Sequence, residues 1–216
     1  MTGLARRLGP LGRRSFRIYW TGQTVSSLGN GMQPVALAFA VLSLHGSATE
    51  LGLVLALSLL AQVLFLLVGG VWADRLPRQR VMLLADLVRA STQLALAAAL
   101  LTGSARIWHL ALAGVVNSLA ASVFRPASSG LVPETVEGDR LQQANSLVSI
   151  SDSAGYLAGP TVAGILIAIS SPGPVYAIDG ATFLVSAASL ALLPLSPRRP
   201  RVPQGILMDL AEGWHE

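Results

Sequence analysis

Six apolar runs, each long enough to cross a bilayer, divide this chain, and nearly all of its charge lies between them. They are Ile18–Leu44, Thr49–Ala73, Arg78–Leu101, Ile107–Phe124 with an extension towards Leu131, Leu141–Ile169 and Val175–Leu193. A membrane helix needs about 20 apolar residues. Six spans fit within 216 residues, whereas twelve would need about 240. None of the runs alternates with the period of two that a barrel strand requires. Backbone groups in hydrocarbon must pair within their own segment, so all six are expected to be helices. The fold class that follows is an all-α membrane bundle.

Composition supports this solvent. The chain is 52% hydrophobic and only 12% charged, about half the charge of a soluble domain. It has no cysteine, which removes disulfides, thiolate metal sites and cysteine nucleophiles. All 15 basic residues are arginine, so there is no Walker A lysine and no Schiff-base lysine. No cofactor and no metal are expected. The net charge of +4 and pI near 10.6 do not point to nucleic acid, because the arginines sit between apolar runs and form no soluble basic face.

The arginines set an expected orientation. With six spans, both termini and the even-numbered connections share one side. That side holds thirteen arginines, among them Arg13, Arg14, Arg75, Arg78, Arg80, Arg125 and Arg140; the other holds only Arg106, and Arg89 lies within the bilayer. Positive charge is retained on the cytoplasmic side. Residues 1–17 are then a basic cytoplasmic N-terminus and residues 18–194 the bundle. Residues 195–216 start a cytoplasmic linker, with a short amphipathic stretch at Ile206–Trp214. Arg13-Arg14-Ser15-Phe16 resembles a twin-arginine export signal, but the apolar run after it far exceeds the ~7–15 residues of a signal peptide. The connections carry turn chemistry at Leu44-His45-Gly46-Ser47, Thr102-Gly103-Ser104 and Ser171-Pro172-Gly173-Pro174.

The connection between the second and third helices reads Gly70-Val71-Trp72-Ala73-Asp74-Arg75-Leu76-Pro77-Arg78-Gln79-Arg80. This resembles the cytoplasmic signature of the major facilitator superfamily, with Pro77 in place of the usual turn glycine. Phe124-Arg125-Pro126-Ala127, Leu131-Val132-Pro133-Glu134 and Ala144-Asn145-Ser146-Leu147 are similar to the enterobactin-exporter and macrolide-efflux branch. Gly155-Tyr156-Leu157-Ala158-Gly159-Pro160, with Gly164, resembles the superfamily's helix-five antiporter motif. The resemblance covers about Arg14 to Pro194, the amino-terminal half of such a transporter. It implies a six-helix bundle built as a 3+3 inverted repeat, and a gating role for Gly70, Asp74, Arg75 and Arg78. In physical terms, Gly70 and the Gly155/Gly159 pair permit close helix crossings. Pro160 removes a backbone hydrogen bond. Arg78 and Arg80 suit either Asp74 or anionic lipid headgroups.

Ionisable groups in hydrocarbon are costly and are functional candidates. Asp86 and Arg89, three apart on one helix face, read as a structural ion pair near the cytoplasmic end of the third helix, joined to the gating motif. Asp152 lies about 16 Å into the fifth helix at 1.5 Å per residue, at a depth that suits a proton-coupling acid. Asp179 reads as an interfacial residue near the outer mouth. Gln23, Asn30 and Gln33 share a face of the first helix; with Gln62 and Asn117 they are candidates to line a substrate cavity. Where relatives often carry an acid, this chain has Asn30, which takes up no proton in the useful range.

The function expected is half of a transporter that exports an amphipathic small molecule by proton-coupled alternating access, with no enzymatic step. Its partners are then the bilayer, the small molecule, protons and a second six-helix half. A truncated, non-transporting membrane protein is the alternative. An intramembrane serine protease fits poorly, because His45, His109 and His215 all lie at helix ends or in the tail.

Overall fold

The computed structural model describes residues 9–73 and 77–194, with backbone alone for 66–73. Six α-helices make up most of it: α1 (Arg14–Ser43), α2 (Ala48–Ala73), α3 (Arg78–Leu101), α4 (Ile107–Thr135), α5 (Leu141–Ile169) and α6 (Pro172–Ala191). Short 3-10 turns at Gly9–Gly12 and Gly138–Arg140 lead into α1 and α5. All six helices are long and apolar enough to cross a membrane, and no strand occurs among the described residues.

Several boundaries differ from the sequence expectation. α1 begins at Arg14, inside the segment read as a polar N-terminus. α4 runs through Pro126 and Pro133 to Thr135. A proline inside a helix withholds a donor and strains the preceding turn. Here Arg78 donates to the carbonyl of Gly130 (2.6 Å), in the turn Pro133 disturbs, and pairs with Glu134 at 3.5 Å. Pro172-Gly173-Pro174 is the first turn of α6 rather than a connection before it. Proline is at no disadvantage there, since first-turn N–H groups have no helical partner. Asp74, Arg75 and the Ile206–Trp214 stretch lie outside the described residues.

The connection from α1 to α2 is short and well determined. His45 adopts a positive φ of 57°, and the Gly46 N–H returns to the Val41 carbonyl at 2.9 Å. Ser47 and Glu50 then cap α2 reciprocally: Ser47 N–H donates to the Glu50 carboxylate (2.7 Å), and Glu50 N–H donates to Ser47 Oγ (3.2 Å). Both are donors that a helix start leaves orphaned.

Packing sorts the helices by polarity. α1 packs extensively against α5 and α6, α3 against α6 and α4, and α2 against α4. α1 is rich in Gly, Ser and amide residues and buries positions around its circumference, from Phe16 and Tyr19 to Ala40 and Val41. α2 does the opposite: Leu53, Leu55, Leu59, Leu60, Val63 and Leu64 are all exposed. A helix that is leucine-rich all round is suited to lipid contact. Two apolar clusters close the bundle at its ends. One gathers Phe16, Tyr19, Met82, Phe124 and Leu131, and the other Met32, Ala40, Leu96, Leu110 and Tyr176.

The α1–α5 contact is backbone against backbone. A Cβ added at Gly159 would lie 2.6 Å from Gly31 Cα, and one at Gly155 would meet the Ser27 carbonyl and lie 3.0 Å from Leu28 N. One at Gly31 would strike the Gly155 carbonyl. Neither partner is the yielding end of a side chain, so the helices must separate to admit a methyl group. Gly164, in the same sequence motif, has nothing within 4 Å of such an atom. Gly159→Ala should therefore destabilise the bundle by about 1–3 kcal/mol, as overpacking does. Gly164→Ala should be neutral or slightly stabilising through its better helix propensity. Denaturant unfolding of the detergent-solubilised chain, followed by circular dichroism, compares the two; equal midpoints would remove the seam argument.

Candidate functional site

Between the two apolar clusters lies a polar layer contributed by four helices. Its centre is Arg89 on α3, 5% exposed. Lysine could not replace it, because the guanidinium spreads its donors over three directions. Nε donates to Asn117 Oδ1 on α4 (2.6 Å), Nη2 donates to Asn30 Oδ1 on α1, and Nη1 lies 3.9 Å from Asp86 Oδ1. The flat face of the group rests over the Phe183 ring of α6, 3.9 Å from its centroid. A cation over an aromatic face gains electrostatic stabilisation that grows as water is excluded.

The layer continues outward from Arg89. Asn117 Nδ2 donates to Gln33 Oε1 (2.9 Å). Gln33 Nε2 donates in turn to Asp179 Oδ2 on α6 (2.7 Å), which also accepts from Gln93 Nε2 on α3 (2.8 Å). On the side of Asp86, Gln23 Nε2 donates to Ser186 Oγ (2.9 Å), and Ser186 stands beside Asp86. Such chains of hydrogen bonds are mutually reinforcing in low dielectric, and costly wherever one member is left out.

Two readings of the sequence change here. Asp86 and Arg89 do pair, but not at a helix end. They lie about 12 and 16 Å along α3 at 1.5 Å per residue, level with the middle of the bundle. Their partners are on α1, α4 and α6. Asp179 is not interfacial: it is 1% exposed and hydrogen-bonded to two glutamines. Sequence reasoning did not single out Gln93, Phe183 or Ser186. Gln93 was legible in principle, lying one helical turn beyond Arg89 on the same face.

The remaining candidates fall in different places. Gln23 is buried, while Asn30, Gln33 and Asn117 are half-buried and tied into the layer. Gln62 is half-buried on α2, apart from these bonds. Asp152 sits on the exposed face of α5 and accepts a hydrogen bond from Ser27 on α1. Nearby, Thr24 donates to Ser151 at 3.0 Å, so this crossing carries polar contacts beside its glycines. Gly155 and Gly159 form the α1–α5 seam, Pro160 stands within α5, and Gly164 faces open space. Arg78 binds α4 at Gly130 and Glu134. Gly70 lies within α2 where only backbone is described.

A six-helix membrane bundle with a buried ionic layer and a glycine-lined crossing narrows the family, and comparison with known proteins decides it. The family model described as Major Facilitator Superfamily matches residues 19–210. The chain belongs to this superfamily. Among curated relatives, it is 33% identical over 173 residues to the MFS-type transporter YfiS of Bacillus subtilis (strain 168), covering 80% of this chain and 40% of the relative. It is 24% identical over 201 residues to macrolide efflux protein A of Streptococcus pyogenes, covering 92% of this chain and 50% of the relative. It is 26% identical over 200 residues to the enterobactin exporter EntS of Shigella dysenteriae serotype 1 (strain Sd197), covering 93% of this chain and 48% of the relative. The chain thus spans half or less of the length of each of these relatives. It is a multi-pass membrane protein of a transporter superfamily.

The layer makes a stability prediction. Removing Arg89 strands two carboxylates in the bundle. Arg89→Met should therefore cost roughly 3–5 kcal/mol, the usual penalty for breaking a buried pair. The double variant Arg89→Met/Asp86→Leu should regain part of that, because it removes one of the two buried acids. A double-mutant cycle on the detergent-solubilised chain checks it; additive losses would mean that Asp86 and Arg89 do not interact.

Proposed function

We propose that this chain forms the amino-terminal bundle of an exporter for an amphipathic small molecule of drug or siderophore type. Transport runs by alternating access against a second six-helix half, in exchange for protons, with no chemical step on the substrate. The observation that carries this reading is the fixed amide layer at mid-bundle in a chain of a transporter superfamily. Asn30, Gln33 and Asn117 are held in set orientations by Arg89 and Asp179 while remaining part-exposed. An amphipathic molecule meets oriented amides there, with Gln23 and Gln62 flanking, and binds its apolar part against the surrounding aliphatic groups. The names of two relatives, an enterobactin exporter and a macrolide efflux protein, support the substrate class.

Asp152 is the proposed coupling acid on the open side of α5, adjoining the glycine seam. Gly70, Asp74, Arg75 and Arg78 form the proposed gate, and Gly155, Gly159, Pro160 and Gly164 the antiporter-like segment. Both termini lie in the cytoplasm and the protein resides in the inner membrane, as the arginine distribution supports.

Efflux from proteoliposomes containing the chain, alone and co-reconstituted with a second half taken from a relative, tests the function. A macrolide or dye should leave only when an imposed proton gradient is present, and Asp152→Asn should reduce that flux at least tenfold. Gradient-independent leakage in every combination would falsify the reading. Orientation has its own test, made simple by the lack of native cysteine. Cysteine placed at Asp139 should react with an impermeant maleimide only from the cytoplasmic side, and cysteine at Ser104 only from outside. The reverse pattern would invert the assigned topology.

A further inference from the structure

The polar layer contains two carboxylates and one guanidinium, which with every group ionised leaves one uncompensated negative charge inside the bundle. Asp86 is 0% exposed, Asp179 1% and Arg89 5%. An uncompensated charge in this setting is far more expensive than a bound proton. One of the two acids is therefore the natural place for that proton.

The hydrogen bonds distinguish them. Asp179 Oδ2 accepts from two amide donors, Gln33 and Gln93, at 2.7 and 2.8 Å. Donors of this kind hold a carboxylate in its ionised form. Asp86 has weaker support: no amide donates to either oxygen, and the Ser186 hydroxyl is the donor beside it. Its neighbour Arg89 directs Nε to Asn117 and Nη2 to Asn30, and approaches Asp86 only through Nη1 at 3.9 Å. The Ser186 oxygen accepts from Gln23, which leaves its single O–H for Asp86. Of the two acids, Asp86 is the one held by fewer donors, and so the one that takes the O–H bond.

We propose that the Asp86–Arg89–Asp179 set is a built proton site, holding one exchangeable proton on Asp86. When the proton is present, Arg89 neutralises Asp179 through the shared Asn117–Gln33 chain, and the layer is electrically balanced. When it leaves, both acids compete for one guanidinium, and the hold that Arg89 and Asp179 keep on Asn30, Gln33 and Asn117 is disturbed. The neighbouring titratable and charged groups are Tyr19 on α1, Arg125 on α4, Tyr156 on α5 and Tyr176 on α6, with Asp152 reaching Tyr19. Arg125, the cation in this set, is exposed. The site is separate from Asp152, and its coupling to substrate rests on the transporter reading above. Proton binding itself does not.

Infrared difference spectroscopy on the full chain in lipid nanodiscs reads the proton directly. The sample is stepped between about pH 5 and about pH 9. A protonated-carboxyl C=O band should appear at the acid end, persist in Asp152→Asn and vanish when Asp86→Asn is added to Asp152→Asn. Asp179→Asn removes the competing charge, so Arg89 then serves Asp86 alone and the Asp86 band should titrate at least one pH unit lower. Helicity by circular dichroism confirms that each variant is folded. Should Asp86→Asn fail to fold, the Asp179→Asn shift still decides. A band that survives Asp86→Asn in the Asp152→Asn background, or a midpoint unmoved by Asp179→Asn, overturns the proposal. Proton-dependent flux in the unmutated chain is scored separately. A titrating Asp86 without such flux removes the exporter reading and keeps the proton site.

Discussion

A guanidinium buried in the middle of a membrane bundle must find an acceptor for each of its donor directions. That requirement on Arg89 organises the rest of the molecule. Its partners come from α1 and α4, its adjoining acid from its own helix, and its aromatic support from α6. Helices in lipid gain little from hydrophobic association, because the alternative contact is equally apolar. What registers these four helices against one another is therefore the fixed reach of Arg89 and the amides around it. The two apolar clusters, one at each end of the layer, fill space that the layer has already defined.

α5 is attached by a different principle. It meets α1 through glycines so close that the backbones themselves are the contact surface. Dispersion between closely apposed backbones replaces side-chain interdigitation there, and the Ser27–Asp152 and Thr24–Ser151 bonds add direction. α1 consequently has few uncommitted positions: one flank serves Arg89 and Asp179, and another the glycine seam. α2, by contrast, presents leucine on most sides and is held chiefly through α4. One such contact places Gly114 beneath Ser58, whose hydroxyl bonds back to Val54 in its own helix at 2.9 Å.

The number and type of elements were legible because hydropathy over about 20 residues responds directly to bilayer thickness. Ends were less so. The proline pair in α4 reads as a terminator, and only the arrival of Arg78 from another helix shows how that turn is supported. The Asp86–Arg89 pairing was visible from a spacing of three. Its depth was misjudged because the arginines of the neighbouring connection drew both residues towards the membrane edge. Asp179 presents a related difficulty: Pro172 and Pro174 read as a turn, which places the start of the helix later and the acid nearer its mouth. The amides Asn30, Gln33 and Asn117 were recognised as a polar face. That they bind one another and Arg89 is a relation across three helices, which no single-helix periodicity encodes.

The glycine seam has a consequence for reading relatives of this chain. Gly31, Gly155 and Gly159 are fixed by the distance between two backbones, and any neighbour with a Cβ at these points forces the helices apart. Invariance there would be the signature of a mechanical tolerance. It would look the same whether the protein carried a macrolide, a siderophore or nothing. Variation at Gly164, which belongs to the same short motif but touches nothing, would be equally silent about cargo. What a relative transports is to be sought in the amides that Arg89 holds in place, since only their replacement changes what a guest molecule meets.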